Sequence, residues 1–167
     1  PPSWPHPGAR ATADGRVDLA RARPLPWTPA RGALAVRPPM HKHLKPKDHR
    51  VVVLGASPKP TRYSFHAVEM LARAGYQVIP VHPRAHRIDQ IPVVASLRAV
   101  APPVHTLTLY LGEARSQSLV DDILALAPGR VIFNPGSESQ RLERALTEAR
   151  IAHERACTLV LLRTGQF

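Results

Sequence analysis

The sequence predicts an α/β protein with a three-layer, doubly wound fold around a mostly parallel sheet. Short apolar runs such as "VVVLG" (51–55) and "YQVIPV" (76–81) do not alternate between apolar and polar residues, as strands with one solvent-exposed face do. These runs alternate with segments that repeat apolar residues at helical spacing. Such alternation from residue 51 onward favours parallel strands with helices on both faces. The 167 residues leave room for one ordinary domain.

The first repeat is a strand, a helix and a second strand. Ser64 is a candidate N-cap for the helix in "SFHAVEMLARAGY", and Gly75 follows its expected end. The residues predicted to face inward are Phe65, Val68, Leu71 and Ala72. Parallel strands joined this way require a crossover, which we expect to be right-handed.

The second half repeats the pattern. We predict strands at 104–111 and 130–134, separated by a helix over 116–128 that turns Leu119, Val120, Ile123 and either Leu126 or Ala127 inward. In the next helix, Ser137 and Gln140 have capping-box spacing, and the inward residues are Leu142, Ala145, Leu146 and Ala149.

Two stretches are harder to interpret. Residues 157–162, "CTLVLL", predict a last strand or extended segment. In 88–103, Pro92 interrupts what resembles a strand, and "SLRAV" is compatible with one helical turn.

The first 40 residues differ in composition from the rest. Residues 1–50 hold 10 of the 23 Lys and Arg residues, 10 of the 19 prolines and only 3 of the 12 acidic residues. A stretch of this kind buries too little apolar surface to offset its ordering entropy, so we predict a disordered leader at 1–40 and a folded domain at 41–167. Three interpretations of this leader are open: a nucleic-acid-binding arm, a transit peptide, or translated sequence upstream of a start at Met40. We favour the third interpretation, because "MHKHLKPKDHR" leads straight into the first strand.

Composition also narrows the functional classes. Residues 1–50 carry +7 of the formal charge of +11 and the rest of the chain only +4, so we expect a nucleic-acid partner to be unlikely. No apolar run approaches 18 residues, and the single Cys157 excludes an internal disulfide, so we expect a cytoplasmic protein without a membrane span. A buried, inert Cys157 is more typical of an apolar segment than a reactive one. The sequence is compatible with a homodimer.

Catalytic and metal-binding patterns are weak. Asp121 and Asp122 fall on the polar side of their helix, no G-x-S-x-G is present, and the histidines lack metal-ligand spacing. We therefore expect a protein without catalytic or metal-ligating residues.

The stretch "GASPKP" after the first strand predicts a phosphate-binding mouth. Ligands of doubly wound sheets bind at the carboxyl ends of strands, where Gly55, Ala56 and Ser57 fall. A helix starting near Ser64 directs N–H groups outward, and Lys59 and Arg62 add positive charge. The alternative is a tight turn without a ligand.

The common nucleotide fingerprints are missing. Neither G-x-G-x-x-G nor G-x-x-x-x-G-K-[ST] occurs here. After the second strand, where NAD sites place an acidic residue, the chain has His82, Pro83 and Arg84, which favours a ligand with an extra phosphate. One candidate is therefore an NADP-dependent oxidoreductase with Arg84 on the 2′-phosphate.

The segment "VVVLGASPKPTRYSFHAVEMLARAGYQVIPVHP" resembles the opening of the small CoA-binding domain proteins. These share a Rossmann-like fold with the CoA-binding domain of succinyl-CoA synthetase. The later segments "LTLYLG", "RVIFNPGSE" and "CTLVLLRTGQF" are similar to matching parts of one branch of the family, and the resemblance covers residues 45–167.

The resemblance implies a set of ligand contacts. It implies that Gly55, Ala56 and Ser57 meet the CoA pyrophosphate, that Lys59 and Arg62 neutralise phosphates, that His82 and Pro83 border the adenosine, and that Tyr110 and Gly112 form the opposite wall. The family commonly has Asn in place of His82, and the charge of an imidazole depends on pH.

The loop "NPGSE" carries two alternatives. Asn134 to Gly136 either supply turn and capping contacts only, or also touch the ligand. We expect a non-catalytic sensor, carrier or regulatory module that binds CoA or an acyl-CoA. The alternatives are the NADP-dependent oxidoreductase and nucleic-acid binding through the leader.

Overall fold

Five parallel strands form the central sheet of the computed structural model, which describes residues 44–167. The strands are β1 (Arg50–Leu54), β2 (Gln77–Val81), β5 (Thr106–Leu109), β6 (Arg130–Phe133) and β7 (Ala152–Arg155), in the order β2-β1-β5-β6-β7. A separate antiparallel hairpin joins β3 (Arg87–Ile88) to β4 (Ile91–Pro92). The predicted leader lies outside the described residues.

Helices cover both faces of the sheet. They are α1 (Tyr63–Arg73), α2 (Glu113–Gln117), α3 (Val120–Leu126), α4 (Gln140–Glu148) and α5 (Thr158–Thr164). Val51 and Val53 of β1 pack with residues of α1 and α5, while Val52 and Leu54 pack with residues of α3 and α4. Alternate residues of one strand, buried from Val51 to Leu54, thus serve two cores, which confirms the three-layer, doubly wound prediction.

The first helix differs from the prediction at its start. Its N-cap is Arg62, whereas Ser64 lies inside the helix and is buried, so the prediction of Ser64 as N-cap is wrong. The buried stripe contains Ala67, while Ala72 is exposed. Gly75 follows the helix with a φ of 86°, a left-handed conformation that glycine adopts without steric cost, as predicted.

The last third of the chain holds the largest correction. Residues 158–164 form α5, and the last strand is β7, which the sequence did not reveal. β7 has only one neighbour and its sequence, Ala-His-Glu-Arg, contains no apolar run, because most of it is exposed at the edge of the sheet. The apolar residues of 158–164 instead pack as a helix against α1.

Caps and boundaries account for the smaller differences. The N-cap of α4 is Ser139, whose hydroxyl oxygen accepts from the Leu142 N–H, so the predicted capping box at Ser137 and Gln140 is wrong. Ala149 is exposed rather than inward. The helix predicted over 116–128 is divided into α2 and α3, and Leu126, not Ala127, is its buried end. "SLRAV" contains the expected single turn, a 3-10 turn at Leu97–Ala99.

No helix within residues 44–167 combines the length and the apolar character needed to cross a membrane.

We expect the free energy of unfolding to depend on pH because of His105. Its Nδ1 accepts a hydrogen bond from the Arg50 N–H at 2.9 Å, and burial, followed by the charge of Arg50, lowers the pKa of His105 below its usual 6.5. The unfolded chain therefore takes up this proton first as the pH falls through 6.5, so stability declines from that point downward.

The measurement is the free energy of unfolding against pH around 6.5, for the wild type and His105→Asn. The asparagine oxygen can accept from Arg50 without titrating, so the variant should show a shallower decline on the acid side. Identical slopes would contradict the assignment.

Candidate functional site

The carboxyl ends of the five parallel strands lie at one edge of the sheet. Strand order reverses between β1 and β5: the chain leaving β1 enters α1 on one face, and the chain leaving β5 enters α2 and α3, of which α3 packs on the other. Ligands of doubly wound sheets bind at this reversal. The loops after β1, β5 and β6 are therefore the first place to look for a site.

Gly55 is required where the loops after β1 and β5 meet. Its φ is 85°, and a Cβ atom there would lie 2.6 Å from Leu111 Cδ2 and 3.0 Å from the carbonyl carbon of Tyr110. The glycine therefore accommodates the protein's own chain, whereas the family resemblance implies that it meets the CoA pyrophosphate. Ala56 is buried beside it in the core on the α1 face.

The rest of the first loop presents two cations. The Lys59 N–H donates to Ser57 Oγ at 3.3 Å, and the Arg62 N–H donates to the Lys59 carbonyl at 3.0 Å. Both Lys59 and Arg62 are exposed, and Arg62 directly precedes the first turn of α1. Because the first N–H groups of a helix lack partners within it, this turn and the two cations together favour an anion.

A cavity of about 190 Å³ opens beside this helix start. It is lined by Arg62, Tyr63, Ser64, Tyr110, Pro135, Gly136 and Ser137. The structure thus brings together four predicted site residues from three separate loops: Arg62, Ser64, Tyr110 and Gly136. Tyr63 and Ser137 were not among the predicted site residues, and Pro135 was included only through the range Asn134 to Gly136. The position of these three residues beside the cavity becomes apparent only when the loops are assembled.

The other predicted site residues lie outside the cavity lining. These are Gly55, Ala56, Ser57, Lys59, His82, Pro83, Gly112 and Asn134. Gly112 is the N-cap of α2, and Pro83 is exposed after β2. Their contacts with a ligand stay a prediction.

Asn134 holds three elements together. It is buried, and its Nδ2 donates to Thr108 Oγ1 at 2.7 Å and to the Leu109 carbonyl at 3.0 Å. Its Oδ1 accepts from the Thr158 N–H at 2.8 Å. The side chain therefore connects β5 to the start of α5 from just beyond β6, and these contacts leave its amide engaged inside the protein.

The following turn is also internally bonded. The Gly136 N–H donates to Glu138 Oε2 at 2.9 Å, and the Ser137 N–H donates to the Asn134 carbonyl at 2.9 Å. These contacts support the turn interpretation of "NPGSE" for the backbone N–H groups. Gly136 and Ser137 nevertheless line the cavity, so the turn shapes one of its walls.

Tyr110 is a half-buried residue directly after β5. It contributes to the cavity lining, while its hydroxyl is buried and forms no hydrogen bond with any described residue. Burial raises the pKa of Tyr110 well above its usual 10, and the nearby Thr108 and Thr158 hydroxyls offset this only in part. The phenol is therefore neutral over the physiological pH range.

His82 takes a structural part in the loop after β2. Its Nδ1 accepts hydrogen bonds from the N–H groups of Arg84, at 3.1 Å, and Ala85, at 2.8 Å. An asparagine side-chain oxygen forms the same kind of turn, so an imidazole with its proton on Nε2 can replace the amide here. This explains how the loop tolerates a residue that departs from the family's usual asparagine.

Residues 44–167 contain no group of three His, Cys, Asp or Glu side chains placed to hold a metal ion. Cys157 is half-buried at the N-cap of α5.

The parallel sheet, the reversal of its strand order and the helices on both faces define an α/β domain of the Rossmann-like class. The chain belongs to the CoA binding domain family, which residues 49–163 match. This confirms the resemblance found in the sequence and supports CoA binding in general terms.

Solved structures share the fold. An uncharacterized protein seen by crystallography has a TM-score of 0.68 and 38% identity, with 71% of this chain and 98% of that chain covered. A protein from Thermus thermophilus has a TM-score of 0.66 and 30% identity, over 71% of this chain and 90% of its own. A conserved hypothetical protein from Pyrococcus furiosus, with a TM-score of 0.63 and 22% identity over 67% of this chain and 97% of its own, shows the same fold.

Among curated proteins, the uncharacterized protein YneT of Bacillus subtilis (strain 168) is 24% identical over 83 residues. The match spans 50% of this chain and 62% of YneT, which is less than two thirds of that relative.

Proposed function

We propose that this protein binds CoA or an acyl-CoA at the carboxyl edge of its sheet, as a non-catalytic sensor, carrier or regulatory module. The observation that carries the proposal is the cavity beside the first turn of α1, at the reversal of strand order. In this proposal the ligand lies along the strand ends, with its adenosine near β2 and its pantetheine near β5 and β6.

The chemistry of the site fits a ligand rich in phosphate. Lys59 and Arg62 are exposed next to the first turn of α1, and none of the described residues lining the cavity carries a carboxylate. In CoA the 3′-phosphate would meet the two cations, and the pyrophosphate would meet the N–H groups of the helix start. His82 and Pro83 would then border the adenosine, and Tyr110 and Gly112 would form the opposite wall.

The size of the cavity limits what it encloses. At about 190 Å³ it is smaller than the roughly 300–1,000 Å³ typical of pockets that hold a whole ligand. We therefore propose that one end of the ligand enters the cavity and the remainder lies over the open strand ends.

NADP is the second candidate ligand, favoured by one observation. The Arg84 N–H is held by His82 in the turn after β2, and its side chain is exposed there. A cation at this position suits the 2′-phosphate of NADP.

The test is a calorimetric titration of the full chain with CoA, NADP and ATP at one salt concentration. We expect CoA to bind with a Kd in the micromolar range and at least about tenfold more tightly than the other two, a difference of about 1.4 kcal/mol. Binding of NADP alone would replace the proposal by a redox function, and lack of binding by all three ligands would overturn both.

Removing the two loop cations should discriminate between ligand phosphates. If Lys59 and Arg62 hold the 3′-phosphate, then Lys59→Ala with Arg62→Ala should weaken CoA by about tenfold to a hundredfold and dephospho-CoA by much less. This corresponds to about 1.4–2.8 kcal/mol in total for two solvent-exposed cations.

The matched control is Arg73→Ala with Arg163→Ala, which removes the same charge from exposed positions in the last turns of α1 and α5. It should leave both affinities nearly unchanged. Equal losses for CoA and dephospho-CoA in the Lys59 and Arg62 variant would contradict the assignment to the 3′-phosphate.

A further inference from the structure

Glu138 places a carboxylate within hydrogen-bond distance of one wall of the cavity. Its Oε2 accepts from the Gly136 N–H at 2.9 Å. Gly136 lines the cavity together with Pro135 and Ser137, whereas Glu138 is not part of the described lining. Backbone N–H groups in exposed turns are common donors to bound anions, and here the donor is already bonded to an anion of the protein. The wall that follows β6 therefore carries negative charge and has this N–H occupied.

The charge of Glu138 is not cancelled by an ion pair within residues 44–167. Arg155 is close enough for Glu138 to add to the rise in its pKa, which the hydrogen bond and the charge of Glu143 mainly cause. Both hydrogen bonds of Arg155 nevertheless go to the carboxylate of Glu143, at 2.9 and 3.0 Å. Glu138 is half-buried, so its field extends into the neighbouring cavity.

The wall that follows β1 has the opposite character. Arg62, Tyr63 and Ser64 line the cavity from the start of α1, and Arg62 is the one charged side chain in the described lining. β5 lies between β1 and β6, so two strand spacings, about 10 Å, separate the two walls. A ligand with its adenosine near β2 and two phosphates at the start of α1 therefore directs its next group toward Gly136 and Glu138.

The group attached to the second phosphate decides whether Glu138 opposes binding. In CoA and in dephospho-CoA this phosphate is esterified to pantetheine, which is an uncharged chain. In ATP it carries a third phosphate, which is charged. A charged group that extends toward β6 meets a like charge and finds the Gly136 N–H occupied, whereas an uncharged chain avoids this electrostatic cost.

We infer that Glu138 makes the site selective for diphosphate diesters of the CoA type over nucleoside triphosphates. This inference rests on the proposed CoA site and adds the residue that excludes a competing class of ligand. Glu138 acts through its charge and through the turn it holds, without touching the ligand. It is therefore a specificity-determining residue rather than a binding residue.

The experiment compares ATP with dephospho-CoA on the full chain, by calorimetric competition against CoA at about 0.01 M salt without divalent cations. Both ligands carry adenosine and two phosphates and lack the 3′-phosphate, so they differ only in the group on the second phosphate. We expect Glu138→Gln to bind ATP about fivefold more tightly than the wild type does, and dephospho-CoA to change by less than about twofold. The glutamine oxygen can still accept from the Gly136 N–H, so the turn is retained.

Salt dependence separates the charge of Glu138 from a structural role. Raising the salt to about 1 M shortens the Debye length from about 30 Å to about 3 Å, so the gain of ATP in Glu138→Gln should fall below about twofold. The matched control is Glu148→Gln, which removes the same charge from an exposed position at the end of α4. It should leave both affinities nearly unchanged.

Three results would overturn the inference while the CoA site itself would stand. They are an unchanged affinity of Glu138→Gln for ATP, an equal gain for ATP and dephospho-CoA, and a gain of ATP that persists at high salt. If the wild type did not bind CoA, the proposed function would fail as well.

Discussion

Asn134→Ala is expected to lower the free energy of unfolding by about 3 kcal/mol, the largest effect of any single substitution proposed for this protein. The change deletes three buried hydrogen bonds and leaves the Thr158 N–H and the Leu109 carbonyl without this partner. Buried polar groups that lose their partner cost roughly 1–3 kcal/mol each, and partial relaxation keeps the sum near the lower end. Denaturant unfolding monitored by circular dichroism would measure it.

The control for this substitution is Thr147→Ala on α4. Thr147 is exposed, and its hydroxyl donates only to the Glu143 carbonyl one turn earlier, so the expected loss is below about 0.5 kcal/mol. A loss at Asn134 no larger than that at Thr147 would show that Asn134 does not connect β5 to α5 energetically.

Gly55→Ala is expected to cost about 2 kcal/mol, for two separable reasons. The residue has a φ of 85°, and a methyl group would lie against Leu111 and the Tyr110 backbone. Gly136 has a similar φ of 83°, with no atom within 4 Å of its Cβ position. Gly136→Ala therefore isolates the conformational cost, which we expect to be about 1 kcal/mol.

Gly112→Ala completes the series. Gly112 has a φ of −66° and no atom within 4 Å of its Cβ position, so the substitution should be nearly neutral. Unfolding free energies of the three variants should rank Gly55 above Gly136 above Gly112 in the cost of the methyl group. If Gly55→Ala were no worse than Gly136→Ala, the contact with Leu111 and Tyr110 would carry no energetic weight.

Buried strands and the helices that cover them were accessible from the sequence. The runs around Val52, Ile79 and Val131 are apolar because both faces of their strands are covered, so their pattern is unambiguous. β7 could not be found this way, because an edge strand that faces solvent has no apolar signature. α5 was misread for the opposite reason: a short, strongly apolar segment looks the same whether it is a buried strand or a helix.

The location of the candidate site could be predicted from the sequence, whereas the roles of its individual residues could not. The "GASPKP" loop lies at the edge of the sheet where the cavity opens, because its position after the first strand follows from topology alone. The role of Asn134 depends on Thr108 and Thr158, which are distant in the sequence, and so it emerges only from the folded chain. The same is true of Tyr63, which becomes noteworthy only when Pro135 and Tyr110 are seen beside it.

The charged side chains that make β7 hard to predict from its sequence also protect the sheet against pairing with strands of other molecules. The outer edge of a sheet offers unpaired backbone groups to any passing strand, and charged side chains discourage such pairing. On β7, Glu154 pairs with Arg130 and Arg155 pairs with Glu143, so the strand keeps these charges in place along the open edge. At the opposite edge, Val94 bonds to β2 and occupies part of its free side. Charged side chains thus protect one edge of the five-stranded sheet, and the protein's own chain covers part of the other edge. Pairing with a strand of another molecule is therefore disfavoured at both edges.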